Sequence, residues 1–373
     1  MGDQLLIANP GSSSLKLRVL HPDDEVVASE DGPAPGADDV DDVLTAFLTG
    51  APRIAAAGVR VVHGGATFRG PVVVDDDVEA ALAELDKLAT LHNPPARAIV
   101  SSLRRMLGDR PVVACFDTAF HRTLPEAAAT YAVPWSWTHD HGVRRYGFHG
   151  LSHQWATRRA AEVVGRPVED LRTVTAHLGA GASLAAVRGG RSVDTTMGFT
   201  PLEGLVMATR SGSVDPGALL WVQRRLGLDP EAMEHALDHE SGLLGLSRRS
   251  GDLREVHALA EGGDPDARLA LEVYVHRLRG EIARMAAALD GLDVLVFTGG
   301  VGEHAPWLRA AVVAGLSFLG LGIDEVANER AVRGDVTIGA AGATPCLVVE
   351  SREDRQIASE IRHVLGGPTV PGR

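Results

Sequence analysis

The sequence is poor in cysteine and has no long hydrophobic run. Its 373 residues include two cysteines, Cys115 and Cys346, and neither lies in a C-x-x-C motif. We therefore expect neither a disulfide framework nor a structural zinc site, and the cysteine content favours a reducing compartment. The longest nearly apolar run, AAVVAGLSFLGLGI, is too short and too rich in glycine to span a bilayer. Because the first residues also lack the pattern of a signal peptide, we expect a cytoplasmic protein with no membrane partner.

Positive charge is scarce as well. The formal net charge of −13 argues against a nucleic-acid partner, because binding to a phosphate backbone needs a basic face. Only two of the basic residues are lysines, Lys16 and Lys87, and Lys16 follows a turn of glycine and serine. Where arginine is used almost everywhere else, this lysine indicates a need for a compact ammonium donor.

The order of strands and helices predicts an α/β protein with a duplicated domain. The segment LLIANPGSSSLKLRVL predicts two strands joined by a turn whose N–H groups and hydroxyls could surround a phosphate. The segment TVTAHLGAGASLAAV repeats that design, and the length allows two domains. LDVLVFTGGVGEH predicts a strand, a glycine turn and a helix whose N-terminus favours an anion. The acidic stretch PDDEVVASEDGPAPGADDVDD predicts an exposed loop.

Two phosphate-type hairpins and a strand–glycine–helix element are the core pattern of the sugar kinase, heat-shock protein and actin superfamily. Within it, the sequence resembles the acetate kinase family of short-chain acyl kinases. The resemblance runs from end to end and is carried, in order, by IANPGSSSLK, RVVHGG, LHNP, FDTAFH, RRYGFHGLSH, HLGAGAS, MGFTPLEGLVMATRSGSVDPG and FTGGVGEH. It implies a duplicated ribonuclease H-like fold of two domains with a central nucleotide cleft. Residues 1–148 with 352–373 would bind acyl group and phosphate, and residues 149–351 would bind nucleotide.

The resemblance also implies an activity: reversible transfer of the ATP γ-phosphoryl group to acetate, giving acetyl phosphate and ADP by direct in-line displacement. Such a transfer brings two anions together, so cations must neutralise the charge on the transferring group. Arginines suit that task. Mg²⁺ or Mn²⁺ as the metal and a homodimer are further implications. Propionate or another short-chain acid remains an alternative acceptor.

Site residues are implied position by position. Four would be catalytic: two arginines that hold the carboxylate and the phosphoryl group, an acid that positions magnesium and the reacting groups, and a histidine that stabilises the phosphoryl group, namely Arg60, Arg210, Asp117 and His149. Besides Arg60, the acyl group would contact Val62, Leu91, Phe148 and Pro201. The phosphates and the nucleotide would contact Asn9, Ser12, Ser13, Lys16, His177, Leu178, Gly179, Ala180, Gly181, Asp252, Leu253, Arg254, Gly300, Val301, Gly302, Glu303 and His304. The metal ligands would be Asn9 and Glu353.

Four positions depart from the family pattern. Ala180 stands where the family has asparagine, Ser213 replaces an acidic residue, Val59 a histidine and Arg352 an asparagine. Ala180 lacks an amide that would touch phosphate, although the glycines on either side of it are retained. We therefore expect nucleotide binding to persist, with a lower rate or a changed geometry at the donor phosphates.

Other functions fit parts of the sequence. GVGEHA followed by Asp324 matches a dinucleotide-binding fingerprint, but too little chain follows Gly300 for two mononucleotide-binding halves. HALDH lacks the glutamate of the metalloprotease motif, and no G-x-S-x-G motif occurs. A non-catalytic nucleotide sensor of the same superfamily stays open. Such a sensor would not need all four of the implied catalytic residues.

Overall fold

The protein is described by a computed structural model that covers residues 4–11, 14–33, 36, 39–87 and 93–366. The chain forms two compact units. The first contains the residues up to Arg122, then Phe148–Trp155, and the residues from Arg352 onward; the second contains Thr123–Gly147 and Ala156–Ser351. The predicted domain boundary at residue 148 differs from this division in two segments, 123–147 and 149–155.

Strands and helices alternate along much of the chain. The strands are β1 (Gln4–Pro10), β2 (Ser14–Leu20), β3 (Val26–Pro33), β4 (Ile54–Val61), β5 (Val72–Val73), β6 (Val112–Phe116), β7 (Arg172–Leu178), β8 (Ala182–Arg188), β9 (Arg191–Thr195), β10 (Val294–Thr298), β11 (Val336–Thr337) and β12 (Cys346–Val348). The helices are α1 (Val40–Gly50), α2 (Asp76–Glu84), α3 (Asn93–Leu107), α4 (Glu126–Ala129), α5 (Trp135–His141), α6 (Gly150–Val164), α7 (Pro216–Leu226), α8 (Pro230–His239), α9 (Gly242–Ser247), α10 (Leu253–Glu261), α11 (Pro265–Ala288), α12 (Gly299–His304), α13 (Pro306–Ala314), α14 (Glu325–Arg330) and α15 (Glu353–Val364). Within the described residues, no helix is both long and apolar enough to cross a membrane.

The sheet of the first unit has helices on both faces. Its strand order is β3-β2-β1-β4-β6-β5; β1, β4 and β6 are parallel, and the other pairs are antiparallel. Because successive side chains of a strand point to opposite faces, Leu6 belongs to the core that contains Ile99 of α3, while Ile7 packs with Ile357 of α15. The central strands are therefore apolar on both faces until their carboxyl ends, as expected for a sheet covered on both sides.

Strand β3 lies in the acidic stretch that was predicted to be an exposed loop, and for this part the prediction was wrong. Val26–Pro33 pairs antiparallel with β2, with Leu17 opposite Glu30, and Arg18 of β2 forms an ion pair with Asp31. Most of its side chains are exposed because β3 is an edge strand. Backbone pairing, together with the ion pair between Arg18 and Asp31, holds this strand, so no alternation of apolar residues is needed and the sequence pattern could not indicate it.

The second unit repeats the sheet of the first. Its strand order is β9-β8-β7-β10-β12-β11. As in the first unit, the first two neighbouring pairs are antiparallel, the next two are parallel, and the last pair, with a short edge strand, is antiparallel. This confirms the duplication predicted from the two hairpins. Helix α11 packs against β8, α9 and α10, and its buried residues include Tyr274, Leu278, Ile282 and Met285.

We predict opposite effects on stability for two glycine-to-alanine substitutions. A Cβ at Gly58 of β4 would lie 2.6 Å from side-chain atoms of Ile357 and Ile361, so Gly58→Ala should lower the free energy of unfolding by about 1–3 kcal/mol. Gly280, within α11, has no heavy atom within 4 Å of its Cβ position, so Gly280→Ala should raise it by about 0.5–1 kcal/mol. Urea unfolding measures both, and an unchanged Gly58→Ala protein would contradict the close packing of α15 on β4.

Candidate active site

Three neighbouring parallel strands of the first unit end in polar side chains. Asn9 lies near the end of β1, Arg60 near the end of β4, and Asp117 directly follows β6. Because β1, β4 and β6 are adjacent and parallel, their carboxyl ends lie at the same edge of the sheet. Ligands of open α/β sheets bind at this edge.

Arg60 and Asp117 form a buried ion pair with two-pronged geometry. Arg60 Nε donates to both carboxylate oxygens at 3.0 and 3.1 Å, and Nη2 donates to Oδ2 at 2.6 Å. The side chain of Asp117 is 0% exposed and that of Arg60 is 12% exposed. Because two donors of the planar guanidinium, Nε and Nη2, bind the same carboxylate, the pair defines the orientation of the cation as well as its position.

Two more predicted residues extend this network. Arg60 Nη1 donates to Asn9 Oδ1 at 3.2 Å, and Asn9 Nδ2 donates to Glu353 Oε2 at 2.6 Å. Glu353 is the first residue of α15, so the network joins strands β1, β4 and β6 to the start of that helix. Lys16, another predicted phosphate ligand, lies on β2 directly opposite Asn9.

Burial and mutual charge set the protonation behaviour of the pair. Burial raises the pKa of the Asp117 carboxyl, the Glu353 carboxylate adds to that rise, and Arg60 and the backbone N–H of His149 oppose it. For Arg60, burial disfavours the charge, but the carboxylates of Asp117 and Glu353 outweigh it and raise the pKa of the guanidinium. Arg60 is therefore cationic at neutral pH.

His149 reaches this site through an unusual backbone conformation. Its φ is +55°, which is uncommon for a residue with a side chain, and its N–H donates to the Asp117 carboxylate. The next residue, Gly150, donates its N–H to Asp117 O at 3.0 Å. A Cβ on Gly150 would lie 2.0 Å from that oxygen, so only glycine permits the approach. Left-handed conformations in residues other than glycine are concentrated at functional sites.

The predicted acyl-binding residues are only partly described. Phe148 is buried in the first unit, where its ring packs edge-on against His63 with centroids 5.4 Å apart. Val62 in the same unit and Pro201 in the second unit are half-buried. Leu91, like the predicted phosphate ligands Ser12 and Ser13, lies outside the described residues.

Sequence reasoning did not assign a role to Asn93, which binds the backbone of His63, the residue whose ring packs against Phe148. Asn93 Oδ1 accepts the backbone N–H of His63 at 3.1 Å, and Asn93 Nδ2 donates to His63 O at 3.0 Å. Asn93 is buried at the start of α3. The sequence feature that could have indicated this role is the position of Asn93 in LHNP, where a polar residue precedes two prolines at the start of a helix.

The second unit contains Arg210 and the glycine turn between β7 and β8. Burial lowers the pKa of the Arg210 guanidinium, and Asp238, 3.4 Å from Arg210 Nε, partly offsets that effect. In the turn that follows His177 and Leu178, the N–H of Gly179 donates to Gly181 O at 3.0 Å. Ala180 is exposed, and its carbonyl accepts the N–H of Ala208 at 3.1 Å. This bond joins the turn to the segment that carries Arg210.

The other predicted nucleotide-binding segments lie at two helix starts of the second unit. Gly300, Val301, Gly302, Glu303 and His304 are in α12, which begins directly after β10, and β10 is parallel to β7. Gly299 there has φ +79°. The Glu303 carboxylate accepts the N–H of Ser351 at 3.0 Å, and burial raises its pKa.

Two of the aspartates that begin helices in this unit bear on the functions predicted from the sequence. Asp252 accepts the N–H of Arg254 at 2.9 Å before α10, and hydrogen bonding to Arg254 lowers its pKa to about 2. Leu253 between them is buried. Asp324, the acid of the dinucleotide-binding alternative, accepts the N–H of Ala327 at 3.0 Å as the N-cap of α14, so its place is explained by the helix.

Arg309 of α13 is a buried residue that no sequence pattern distinguished from the other arginines. All five of its N–H hydrogens have acceptors: Asn328 Oδ1 at 2.7 Å, and the carbonyls of Gly302, Glu303, Asn328 and Ala331 at 2.9, 2.7, 2.7 and 3.4 Å. It is 0% exposed, and burial lowers the pKa of its guanidinium. Arg309 thus fixes the end of α12 to α14.

The duplicated sheets, with polar residues and glycine turns at the carboxyl ends of their parallel strands, define the class of protein. It is an α/β protein of two units whose repeated sheets form a duplicated ribonuclease H-like fold.

The profile of the acetokinase family matches residues 40–359. An acetate kinase of Synechococcus sp. is 49% identical over 321 residues, which is 86% of this chain and 79% of that protein. A crystal structure of Porphyromonas gingivalis acetate kinase, 35% identical, superposes with a TM-score of 0.90 over 98% of this chain and 100% of that one. A propionate kinase from Francisella tularensis, 34% identical, gives 0.88 over 96% and 98%. The chain belongs to the acetokinase family, whose members are kinases that use ATP.

We predict that Arg309→Lys lowers the free energy of unfolding by about 2–4 kcal/mol, because an ammonium has three donors and would leave buried carbonyls without partners. Arg330→Lys in α14, where the arginine is exposed, should change it by less than about 0.5 kcal/mol. Urea unfolding of both variants measures the difference. Equal stability of the two would mean that the five bonds of Arg309 contribute little.

Proposed function

We propose that this chain catalyses the reversible transfer of the ATP γ-phosphoryl group to acetate, giving acetyl phosphate and ADP by direct in-line displacement. Membership of the acetokinase family supports the reaction class. The observation that carries the proposal for the site is the oriented Arg60–Asp117 pair at the carboxyl ends of β4 and β6. A carboxylate nucleophile is already ionised at neutral pH, so the reaction needs electrostatic stabilisation more than a general base.

Each predicted residue has a part in that stabilisation. Arg60 presents a guanidinium that Asp117 holds in place, so positive charge is already oriented when the transition state forms. Arg210 supplies a second guanidinium to the carboxylate and the transferring phosphoryl group, and His149 donates to that phosphoryl group in flight. The apolar side chains of Phe148 and Val62, with Leu91 and Pro201, receive the methyl group of acetate.

The residues present fit a hard divalent cation. Asn9 offers an amide oxygen and Glu353 a carboxylate, and the two side chains are already hydrogen-bonded to each other at 2.6 Å. Mg²⁺ and Mn²⁺ favour oxygen ligands of this kind, and Mg²⁺ is commonly held by one or two carboxylates together with substrate phosphates. A bound metal would neutralise charge on the phosphate oxygens, and Asp117 would position the metal and the reacting groups.

The nucleotide and its phosphates would bind to two groups of segments. Asn9, Ser12, Ser13 and Lys16 of the first unit would contact phosphate. In the second unit, residues 177–181, 252–254 and 300–304 would hold the nucleotide, since glycine turns and a helix start after a strand expose backbone N–H groups.

We also propose a homodimer that acts in the cytoplasm. Support for the dimer, besides the family, is exposed apolar surface on α7, where Leu220, Trp221 and Leu226 are 51%, 64% and 67% exposed. Support for the cytoplasm is that Cys115 and Cys346 are both free thiols. The net charge of −13 disfavours a nucleic-acid partner.

Trapping of acyl phosphate with hydroxylamine tests the activity. We expect product with acetate and ATP in the presence of Mg²⁺, and less with propionate or butyrate. Because one methylene in an apolar pocket changes discrimination by only about 10–200-fold, all three acids must be compared, with ATP and with pyrophosphate as donors. Higher turnover with propionate would favour the alternative acceptor. No product with any pair would favour a non-catalytic nucleotide sensor.

The Arg210→Ala variant tests whether Arg210 acts on the transferring phosphoryl group or on nucleotide binding. Loss of a cation that acts on the transferring group should lower kcat by about 10²-fold or more, while the Kd for ATP measured by calorimetry changes little. Arg330→Ala, at an exposed arginine of α14, is the matched control and should leave both unchanged. If Arg210→Ala weakens ATP binding as much as it lowers kcat, Arg210 is a nucleotide ligand instead.

The Ala180→Asn variant tests the main departure from the family pattern. Ala180 is exposed, so an asparagine side chain fits without repacking. Restoring an amide donor near phosphate should raise kcat several-fold, with stability unchanged within about 0.5 kcal/mol. Steady-state kinetics with acetate and ATP provide the measurement, and an unchanged or lower kcat would show that this chain does not need the amide.

A further inference from the structure

The peptide unit between Phe148 and His149 is held at both of its ends. Its carbonyl, Phe148 O, lies 3.0 Å from Nε2 of His121. Its N–H, that of His149, donates to the Asp117 carboxylate. A peptide unit is planar, so bonds to its oxygen and to its hydrogen together fix its rotation about the chain.

That rotation determines the conformation of His149. A peptide that flips at residue 148 would remove the N–H from Asp117 and would change the φ of +55° at His149. The following peptide is also held, because Gly150 N–H donates to Asp117 O at 3.0 Å. The segment therefore depends on Asp117 on one side and on His121 on the other.

His121 is placed to act on this segment. It lies in a short 3₁₀ turn just after Asp117, is 2% exposed, and its ring packs edge-on against that of His153 in α6, with centroids 5.7 Å apart. A carbonyl oxygen can only accept a hydrogen bond, so Nε2 of His121 must carry a proton. The fixed ring thus presents a donor to the Phe148 carbonyl.

We propose that His121 is a positioning residue for the phosphoryl transfer: through its Nε2–H bond to Phe148 O it holds the Phe148–His149 peptide in the orientation that joins His149 to Asp117. The inference rests on the proposed function for its kinetic consequence. The geometric part, the orientation of one peptide, stands independently of activity.

Two substitutions of similar size separate this role from a general packing role. The side-chain amide of glutamine can place a donor where His121 has Nε2, whereas that of asparagine reaches only the position of Nδ1. His121→Gln should keep kcat within about 3-fold of the original chain, and His121→Asn should lower it by about 10²-fold, the scale of a misplaced catalytic group. The KM values for ATP and acetate should change little in either.

Controls distinguish an effect of His121 on kcat from a general loss of stability. Both should lose a similar amount of thermal stability, and His276→Asn, at an exposed position of α11, should match the original chain. The pH profile of kcat should be the same in His121→Gln as in the original chain, because no proton transfer by His121 is involved. Equal kcat for the two variants, or loss in proportion to stability, would overturn the proposal.

Two measurements do not depend on activity. ¹⁵N NMR of the histidine rings in the unmodified chain should show His121 protonated at Nε2, and protonation at Nδ1 alone would overturn the inference even if His121→Asn fails to fold. A crystal structure of His121→Asn should show a rotated Phe148–His149 peptide. If the original chain forms no acyl phosphate, the proposed function fails, while these two results still decide the role of His121.

Discussion

The ion pair between Arg60 and Asp117 is the interaction on which the first unit's site depends. A carboxylate that is 0% exposed is stable only if charge and hydrogen bonds compensate for lost water, and in this protein the guanidinium and the N–H of His149 provide both. The same pair joins β4 to the residue after β6, and Asn9 continues it to Glu353 at α15. Packing and chemistry are therefore coupled in this unit, because the groups that stabilise the buried acid are the groups that form the site.

The carboxyl ends of the parallel strands carry different chemical groups in the two units. In the first unit these ends carry charged side chains, among them the paired Arg60 and Asp117. In the second unit the corresponding ends, after β7 and β10, carry the turn at residues 179–181 and the start of α12, so backbone N–H groups predominate. At these ends, one copy of the duplicated fold thus carries an oriented ion pair, and the other carries mainly backbone donors.

Much of the fold was predictable because its signals are local. The hairpins, the glycine turns and the strand–glycine–helix element follow from alternation and turn chemistry, and their repetition indicated the duplication. Strand β3 was missed because an exposed edge strand is held by its neighbour's backbone and carries no apolar pattern. The network of Asn9, Arg60, Asp117 and Glu353 could be named only through family resemblance, since residues 344 positions apart become hydrogen-bonded only after folding.

By itself, the sequence determined the fold class, the two glycine-containing hairpins and the residue types that a phosphotransferase needs. Only the tertiary structure decided which arginines are solvated and which are buried with partners, as the contrast between Arg330 and Arg309 illustrates. It also decided that Nε2 of His121 hydrogen-bonds to the carbonyl of Phe148, and no short sequence motif relates these two residues. The physical reason is the same in each case: burial and hydrogen-bond geometry depend on which distant segments pack together, and periodicity along the chain does not encode that.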